Sequence, residues 1–577
     1  MVGSIHPKLV VSAGFSLRKL KLAATRLKCN LFNSLISKFN LGIFFREKAA
    51  MLAPFQNEPL PGFSGPDEKD EKDQKNQTKR AEAYRLALAE VRRRLGSHKP
   101  LIIGGEKVDT GERIVSLNPA KPAELIGTVA VAGPAQIDAA FEAAWGAFPE
   151  WAACPVAERA AATVRLASEL RRRKLELAAW ETLEASKNWG EAEADVAEAI
   201  DFCEYYARQV LEWTRPVPIT PYRGEINESW LQPLGAGAVI SPWNFPLAIL
   251  VGMTMGPVAA GNTVVLKPSS NTPIIAAAFL EAAAAAGIPD GVINFLPGTG
   301  SEMGDYLVDH IRCRFINFTG SKEVGIGIGR RAAQVHPGQL WLKRAFLEMG
   351  GKDAMVVDET ADLEAATAAV VKSAFGFQGQ KCSAASRVIV VEEVYPTLLE
   401  MLKVATKNLQ VGPAEENCAV GAVISQGQYQ MILAEIDQGK AQAKLLVGGS
   451  PVDLDGGYYI EPTIFAEVPA DSRLGQHEIF GPVLSVIRAR NFDEAVALFN
   501  QTEYGLTGGL FSRSRKRIER AKRQFYVGNL YINREITGAR VGVQPFGGFK
   551  MSGSNAKAGG PDYVRLFMEM KTVAERI

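Results

Sequence analysis

Cys382 stands in the stretch FGFQGQKCSAASR, with glycines before it and the small residues Ser383, Ala384 and Ala385 after it. No bulky neighbour in the chain covers the sulfur, so a substrate can approach it. The thiolate is the attacking form, and neutral pH populates it only where positive charge or helix-end amides lower the ordinary thiol pKa of about 8.5. Lys381 adjoins the cysteine. A single cysteine is equally well a small buried apolar residue, so its meaning rests on partners elsewhere. Glu348, in LEMGGKD, has two glycines nearby that leave room around its carboxylate. A carboxylate in a partly apolar cleft gains affinity for protons and can act as a general base, whereas a surface Glu at a turn does nothing of the kind. Asn244, in SPWNFP, offers an amide donor of the sort that holds a developing oxyanion, or one that merely satisfies its own turn. Lys267 closes an apolar run just before Pro268 and can reach ribose hydroxyls, or simply end a strand in solvent.

The elements that must position these groups alternate. GAVI before Ser241, TVVLK ending at Lys267, VINFL before Pro297 and RFINF ending at Phe318 have the length and β-branching of buried parallel strands. Helical stretches begin near Leu247, Pro273, Ser301 and Glu323 between them, and that order predicts a doubly wound α/β sheet, with ligands at the carboxyl ends of the strands. FTGSKEVG leaves a strand, turns at Gly320-Ser321 and opens a helix whose amides can meet a pyrophosphate. PGTGSEMG misses the dinucleotide fingerprint by one position, since Met303 stands where the third glycine belongs. No GxxxxGK[ST] is present in this region, which removes a P-loop hydrolase. A second α/β unit is expected from near residue 347, through AMVVD, RVIVV and a helix from Tyr395, to EIFGP at 478–482 and the glycine-rich QPFGGFKMSG at 544–553. Helices at about 135–149, 157–186 and 191–213 read as scaffold.

The chain has 577 residues, 47% hydrophobic and 22% charged, with 65 basic against 63 acidic side chains, a near-balance without the basic excess by which nucleic acid as the main partner usually shows. Six dispersed cysteines without a CxxC pair, and five scattered histidines, point to a reducing compartment and no metal site. Residues 1–50 carry nine Lys or Arg and one acid, Glu47. They are either a transit peptide or translated sequence upstream of a start at Met51, and their apolar run is too short and interrupted to span a bilayer. Residues 51–78 read as a disordered or loosely attached arm.

In order, PWNFP, Lys-Pro after a strand, FTGS, E-x-GG, GQ-x-C, E-x-FGP and PFGG resemble the aldehyde dehydrogenase superfamily, from about Met51 to Ile577. Within it, GFQGQKCSAASR, RFINFTGS, VGNLYINR and GVQPFGGFKMSGSNAKAGGPDY resemble the bacterial-type 1-pyrroline-5-carboxylate dehydrogenase branch. The resemblance implies an α/β fold with a Rossmann-type cofactor domain (79–218 and 236–346), a catalytic domain (347–533) and bridging or oligomerisation segments (219–235 and 534–577), after a leader and arm at 1–78. It implies NAD(P)-dependent oxidation of L-glutamate γ-semialdehyde to L-glutamate in proline catabolism. Alternatives are another semialdehyde as substrate, or a catalytically silent member of the fold. Cys382 would be the nucleophile, Glu348 the base, and Asn244 with the Cys382 amide the oxyanion hole. Trp243, Lys267, Ser270, Gly320, Ser321, Glu478 and Phe480 would meet the cofactor. Phe245 and Phe546 would flank the substrate chain, and Ser383, Gly559 and Gly560 would receive its carboxylate. The family's usual ribose-binding Glu is replaced by Ser270, so NADP is expected beside NAD. The resemblance further implies a homo-oligomer, at least a dimer, through an arm of Val564–Val573 with Trp230–Leu234. The cytoplasm is the expected location, or the mitochondrial matrix if residues 1–50 are a transit peptide.

Overall fold

The structure is a computed structural model that describes residues 52–60 and 71–577. Residues 1–50, with the choice between transit peptide and upstream translation, lie outside the described residues. From Phe55 to Ile577 the chain forms one compact unit. It opens with α1 (Glu71–Arg92), α2 (Pro134–Ala153), α3 (Val156–Arg172), α4 (Lys174–Ala185) and α5 (Trp189–Trp213). Leu166, Leu170, Leu177, Trp180, Ile200 and Tyr206 are buried in one core with α6 (Ala248–Ala260) and α7 (Pro273–Ala285). Arg173 (φ −98°, ψ 13°) departs from helical backbone between α3 and α4, so one long expected helix is two.

The first sheet contains β1 (Leu101–Ile103), β2 (Glu106–Val108), β3 (Ala236–Ile240), β4 (Thr263–Lys267), β5 (Ile293–Phe295), β6 (Phe315–Thr319) and β7 (Arg344–Glu348), in the order β7-β6-β3-β4-β5-β1-β2. β3 to β7 run parallel, and β1 alone runs against them, pairing antiparallel with both β5 and β2. Val264, Val265 and Leu266 are fully buried, as a parallel strand covered on both faces requires. Register aligns the strand ends: Ile240 lies opposite Lys267, Phe318 opposite Ile240, and Thr319 opposite Glu348. Each candidate motif of this half therefore leaves the sheet at one edge. α8 (Lys322–Ala332) follows β6.

A second sheet contains β8 (Ala354–Val357), β9 (Arg387–Val391), β10 (Lys444–Val447), β11 (Thr463–Ala466), β12 (Val483–Ala489), β13 (Thr507–Phe511) and β14 (Asn529–Ile532), ordered β10-β11-β12-β9-β8-β13-β14 with β10 alone antiparallel. Here the functional loops precede their strands: Cys382 comes before β9, and Glu478 and Phe480 come before β12.

Two expectations change. Phe55–Leu60 is anchored: Asn57 and Glu58 hydrogen-bond Asp201 of α5, and Phe55 packs edge-on to Tyr205 at 5.1 Å between ring centroids. The helix after it begins at Glu71. The closing arm is the ribbon Glu225–Pro233 with Met568–Arg576, in continuous antiparallel register. Val564–Phe567 is a buried helical turn, since Val564 and Phe567 fill the core beside α6. Between Arg534 and Tyr563 the chain also lines a cavity, through residues such as Gly538, Val541, Gln544, Phe546 and Ala558. No helix among the described residues is long and apolar enough to cross a membrane.

Candidate active site

Cys382 lies at the junction of two hollows, sharing that position with Thr319 and Met349. One is a wide crevice of about 770 Å³ over the strand ends; the other is a narrow cavity of about 110 Å³ behind it. The turn that delivers the cysteine is strained. After the helix Leu363–Phe375, α9, the non-glycine residues Phe377 (φ 49°) and Gln378 (φ 56°) both adopt left-handed backbone, at about 1–2 kcal/mol each. Neighbours hold the turn in place. Gln378 Nε2 donates to Ser186 O and Ala422 O, Gln380 Oε1 accepts from Ile424 N, and Phe377 is buried under the Lys187 ammonium at 4.7 Å. Gly379 (φ +67°) must be glycine: a Cβ there would sit 2.3 Å from Gly481 O, because the EIFGP loop crosses the turn at that point.

The thiol's surroundings differ from expectation. Lys381 turns away and pairs with Glu191 at 2.7 Å, a half-buried acid in the first turn of α5. Burial first, then the carboxylates of Asp353, Glu478 and Glu348, push the Cys382 thiol up, opposed by the Ser383 amide.

Glu348, the last residue of β7, lines the narrow cavity with Cys382. Its Oε2 accepts from Gly548 N at 3.2 Å in the PFGG loop, and its buried Oε1 has no hydrogen-bond partner among the described residues. Burial raises its pKa well above the carboxylate range, with the Gly548 amide and Lys557 opposing. Asn244 is buried and donates from Nδ2 to Gln380 O at 3.1 Å. A primary amide has two hydrogens, so the second is left for the crevice that Asn244 lines beside Cys382.

Trp243, Lys267, Ser270, Gly320, Ser321, Glu478 and Phe480 all line the wide crevice. Trp243 and Phe480 meet edge to face at 5.4 Å. Lys267 is almost fully buried with one long contact, 3.3 Å to Pro268 O, and burial lowers its pKa to about 8. Glu478 Oε1 accepts from Gly351 N at 2.9 Å, and its carboxylate covers Gly350 so closely that a Cβ there would lie 1.8 Å from Oε2. Burial raises Glu478 to about 7. The Gly320 amide is already bonded to Glu348 O, while Ser321, which precedes α8 without capping it through its side chain, and Glu323 and Val324 of its first turn line the crevice. These groups fit a dinucleotide: cationic and hydroxylic donors, a helix N-terminus and an aromatic pair around a long open slot. The near-fingerprint PGTGSEMG also contributes, since Gly300 and Gly304 border the crevice.

Phe245, Phe546 and Ser383 line the narrow cavity, but Gly559 and Gly560 do not. Their amides are internally occupied, Gly559 N by Tyr206 Oη at 2.9 Å and Gly560 N by Lys557 O at 2.9 Å. In their place the loop Gly538-Ala539-Arg540-Val541 reaches the cavity from the preceding turn. α5, read from sequence as scaffold, places Glu198 and Phe202 in the wall. Burial and the nearby Asp195 raise Glu198 to about 8. The available signal was an acid at 198, three residues after Asp195 and four before Phe202, on the buried face of an amphipathic helix.

The chain matches the model of the aldehyde dehydrogenase family over residues 107–573. It is 50% identical over 526 residues to a 1-pyrroline-5-carboxylate dehydrogenase of Geobacillus kaustophilus (strain HTA426), covering 91% of this chain and 100% of that one. It is 49% identical, with the same coverage, to 1-pyrroline-5-carboxylate dehydrogenase 2 of Bacillus subtilis (strain 168). Among solved structures, a 1-pyrroline-5-carboxylate dehydrogenase from Thermus with bound NAD superposes with a TM-score of 0.88 at 54% identity, covering 91% of this chain and 100% of that chain.

Proposed function

This chain belongs to the aldehyde dehydrogenase family, and from that premise we propose that it oxidises L-glutamate γ-semialdehyde, the open form of 1-pyrroline-5-carboxylate, to L-glutamate with NAD. The observation that carries the reading is the position of Cys382 where a dinucleotide-sized crevice meets a narrow, mainly apolar cavity. Bound in the crevice, the nicotinamide supplies the hydride acceptor. Cys382 Sγ adds to the aldehyde carbon as its proton passes to solvent water through the open crevice that Cys382 lines, giving a thiohemiacetal whose oxyanion is held by Asn244 Nδ2 and the Cys382 amide. Loss of hydride from that carbon leaves a thioester, so one difficult oxidation becomes two easier steps. Glu348, with its unpartnered Oε1 in the same cavity, takes a proton from water as the water attacks the thioester carbon. The acid forms, the C–S bond breaks and the thiol is restored. Lys267 and Glu478, which line the crevice, would hold ribose hydroxyls, and Ser321 with the start of α8 would meet the pyrophosphate.

The substrate fits the cavity by chemistry. Phe245 and Phe546 line it for the methylenes, while Ser383, the Gly538–Val541 loop and Glu198 supply polar groups for the α-carboxylate and α-ammonium. A site built to hydrogen-bond a polar group rejects analogues lacking it by up to about 10⁴–10⁵. The test is kcat/KM for the semialdehyde against pentanal. A large preference is expected, and equal efficiency removes the substrate claim. Ser270 in the crevice wall leaves NADP accessible as a second cofactor.

The protein acts as a homo-oligomer, at least a dimer. The ribbon of Glu225–Pro233 and Met568–Arg576 carries exposed Ile226, Met570 and Val573, and such strand edges are commonly covered by another subunit. A monomeric mass by light scattering at micromolar concentration contradicts this. The working domains are a cofactor half built on the first sheet and a catalytic half built on the second, with residues 538–563 serving the site between their motifs.

A further inference from the structure

We propose that the segment Phe55–Leu60 is a positioning strap for substrate recognition, acting through Asn57 on the loop Gly538–Gln544. The inference rests on the reading of the narrow cavity as the substrate's. Asn57 Nδ2 donates both to Asp201 Oδ2 at 2.8 Å and to Val541 O at 3.0 Å. It joins α5 to the middle of a loop that contributes Gly538, Ala539, Arg540, Val541 and Gln544 to the cavity. Glu58 N donates to Asp201 Oδ1 at 2.6 Å, and Glu58 Oε2 accepts from Arg171 Nε at 2.9 Å, so the strap is fastened to α3 and α5 on either side of that contact. Gly542 (φ +74°) lies against the rings of Phe55 and Tyr205, both of which would be 3.0 Å from a Cβ there. Other backbone ties at this point are Gly542 N to Gly559 O and, within the loop, Val543 N and Gln544 N to Arg540 O and Arg540 N to Gln544 Oε1. Val541 is buried, so its carbonyl without Asn57 faces no water, and an unpartnered buried carbonyl shifts the loop that carries it. Asn57 touches neither substrate nor cofactor and works only through the loop.

Asn57→Ala in the full chain tests this. Loss of one such hydrogen bond corresponds to roughly a three- to tenfold change. That rise is expected in KM for glutamate γ-semialdehyde, with kcat and KM for NAD within twofold of wild type and no change for pentanal, which lacks the groups the loop would hold. The exchange Asn57→Asp with Asp201→Asn separates positioning from general stability. The amide now on α5 can donate to the carboxylate now on the strap, so the strap stays in place and Tm recovers, whereas Val541 O still lacks a donor and KM stays raised. A wild-type preference for the semialdehyde that Asn57→Ala leaves intact overturns the inference alone, as does recovery of KM in the exchange variant. A wild type that oxidises both aldehydes equally overturns the substrate reading and the inference with it.

Discussion

Replacing Glu478 by Gln links stability and cofactor binding in one measurement. In the cofactor-free protein its carboxyl is pushed up from 4.5 to about 7, by burial first, with the Gly351 amide and Lys352 opposing. Between those two values the folded chain holds a proton that the unfolded chain has released, so stability falls as pH rises through this window. Below about 4.5 the group contributes nothing, and above about 7 the whole penalty is present. A shift of 2.5 units at 1.36 kcal/mol each is about 3 kcal/mol. Unfolding entropy of about 2.1 cal/mol/K per residue over 577 residues is about 1.2 kcal/mol/K. Gln, which keeps the bond from Gly351 N and never ionises, should therefore raise Tm by about 3 °C at pH 7.5 and leave it unchanged near pH 4.5. The same change should raise KM for NAD, since a charged acceptor of ribose hydroxyls contributes about 1.5–3 kcal/mol, or roughly ten- to a hundredfold. Thermal scans of both proteins at several pH values, followed by kinetics, test both parts. A Tm difference independent of pH refutes the buried-carboxyl argument, and an unchanged KM for NAD refutes the ribose contact.

Cys382→Ala should abolish aldehyde oxidation while NAD still quenches or protects the protein as in wild type; retained turnover would reassign the nucleophile. With Glu348→Gln, thioester hydrolysis should slow by about 10²–10⁴ and the acyl-enzyme should accumulate, visible as added mass on the Cys382 peptide. Wild type should use NADP appreciably, and Ser270→Glu should depress kcat/KM for NADP by at least about a hundredfold through like-charge repulsion, with NAD little affected; equal loss for both cofactors would show that Ser270 does not face the 2′ position. Gly379→Ala should destabilise by about 2–4 kcal/mol from left-handed backbone and overlap with Gly481 O, read as a Tm drop of a few degrees.

The parts of this protein legible in its sequence are those that local chemistry specifies. Continuous β-branched runs can only be strands covered on both faces, so β3, β4, β6, β8 and β9 stand where the runs stood. Glycines flanking Cys382, Glu348 and Phe546 mark close approaches whichever elements meet there. The motif order carried the family, and the motifs leave β3, β4, β6 and β7 at one level because parallel register follows from the alternating strand and helix. What the tertiary structure alone decided concerns the direction of side chains and the occupancy of amides. Gly559 and Gly560 have bare amides in sequence, yet Tyr206, more than 350 residues earlier, occupies one of them and a neighbouring carbonyl the other. Lys381 adjoins the thiol along the chain but is drawn to Glu191, leaving Cys382 among carboxylates. Glu198, Asn57 and Val541 belong to segments with no motif of their own. Hydrogen-bond partners and burial are set by which distant surfaces pack together, and a buried polar group takes whatever partner that packing brings. No spacing rule along the chain encodes that choice.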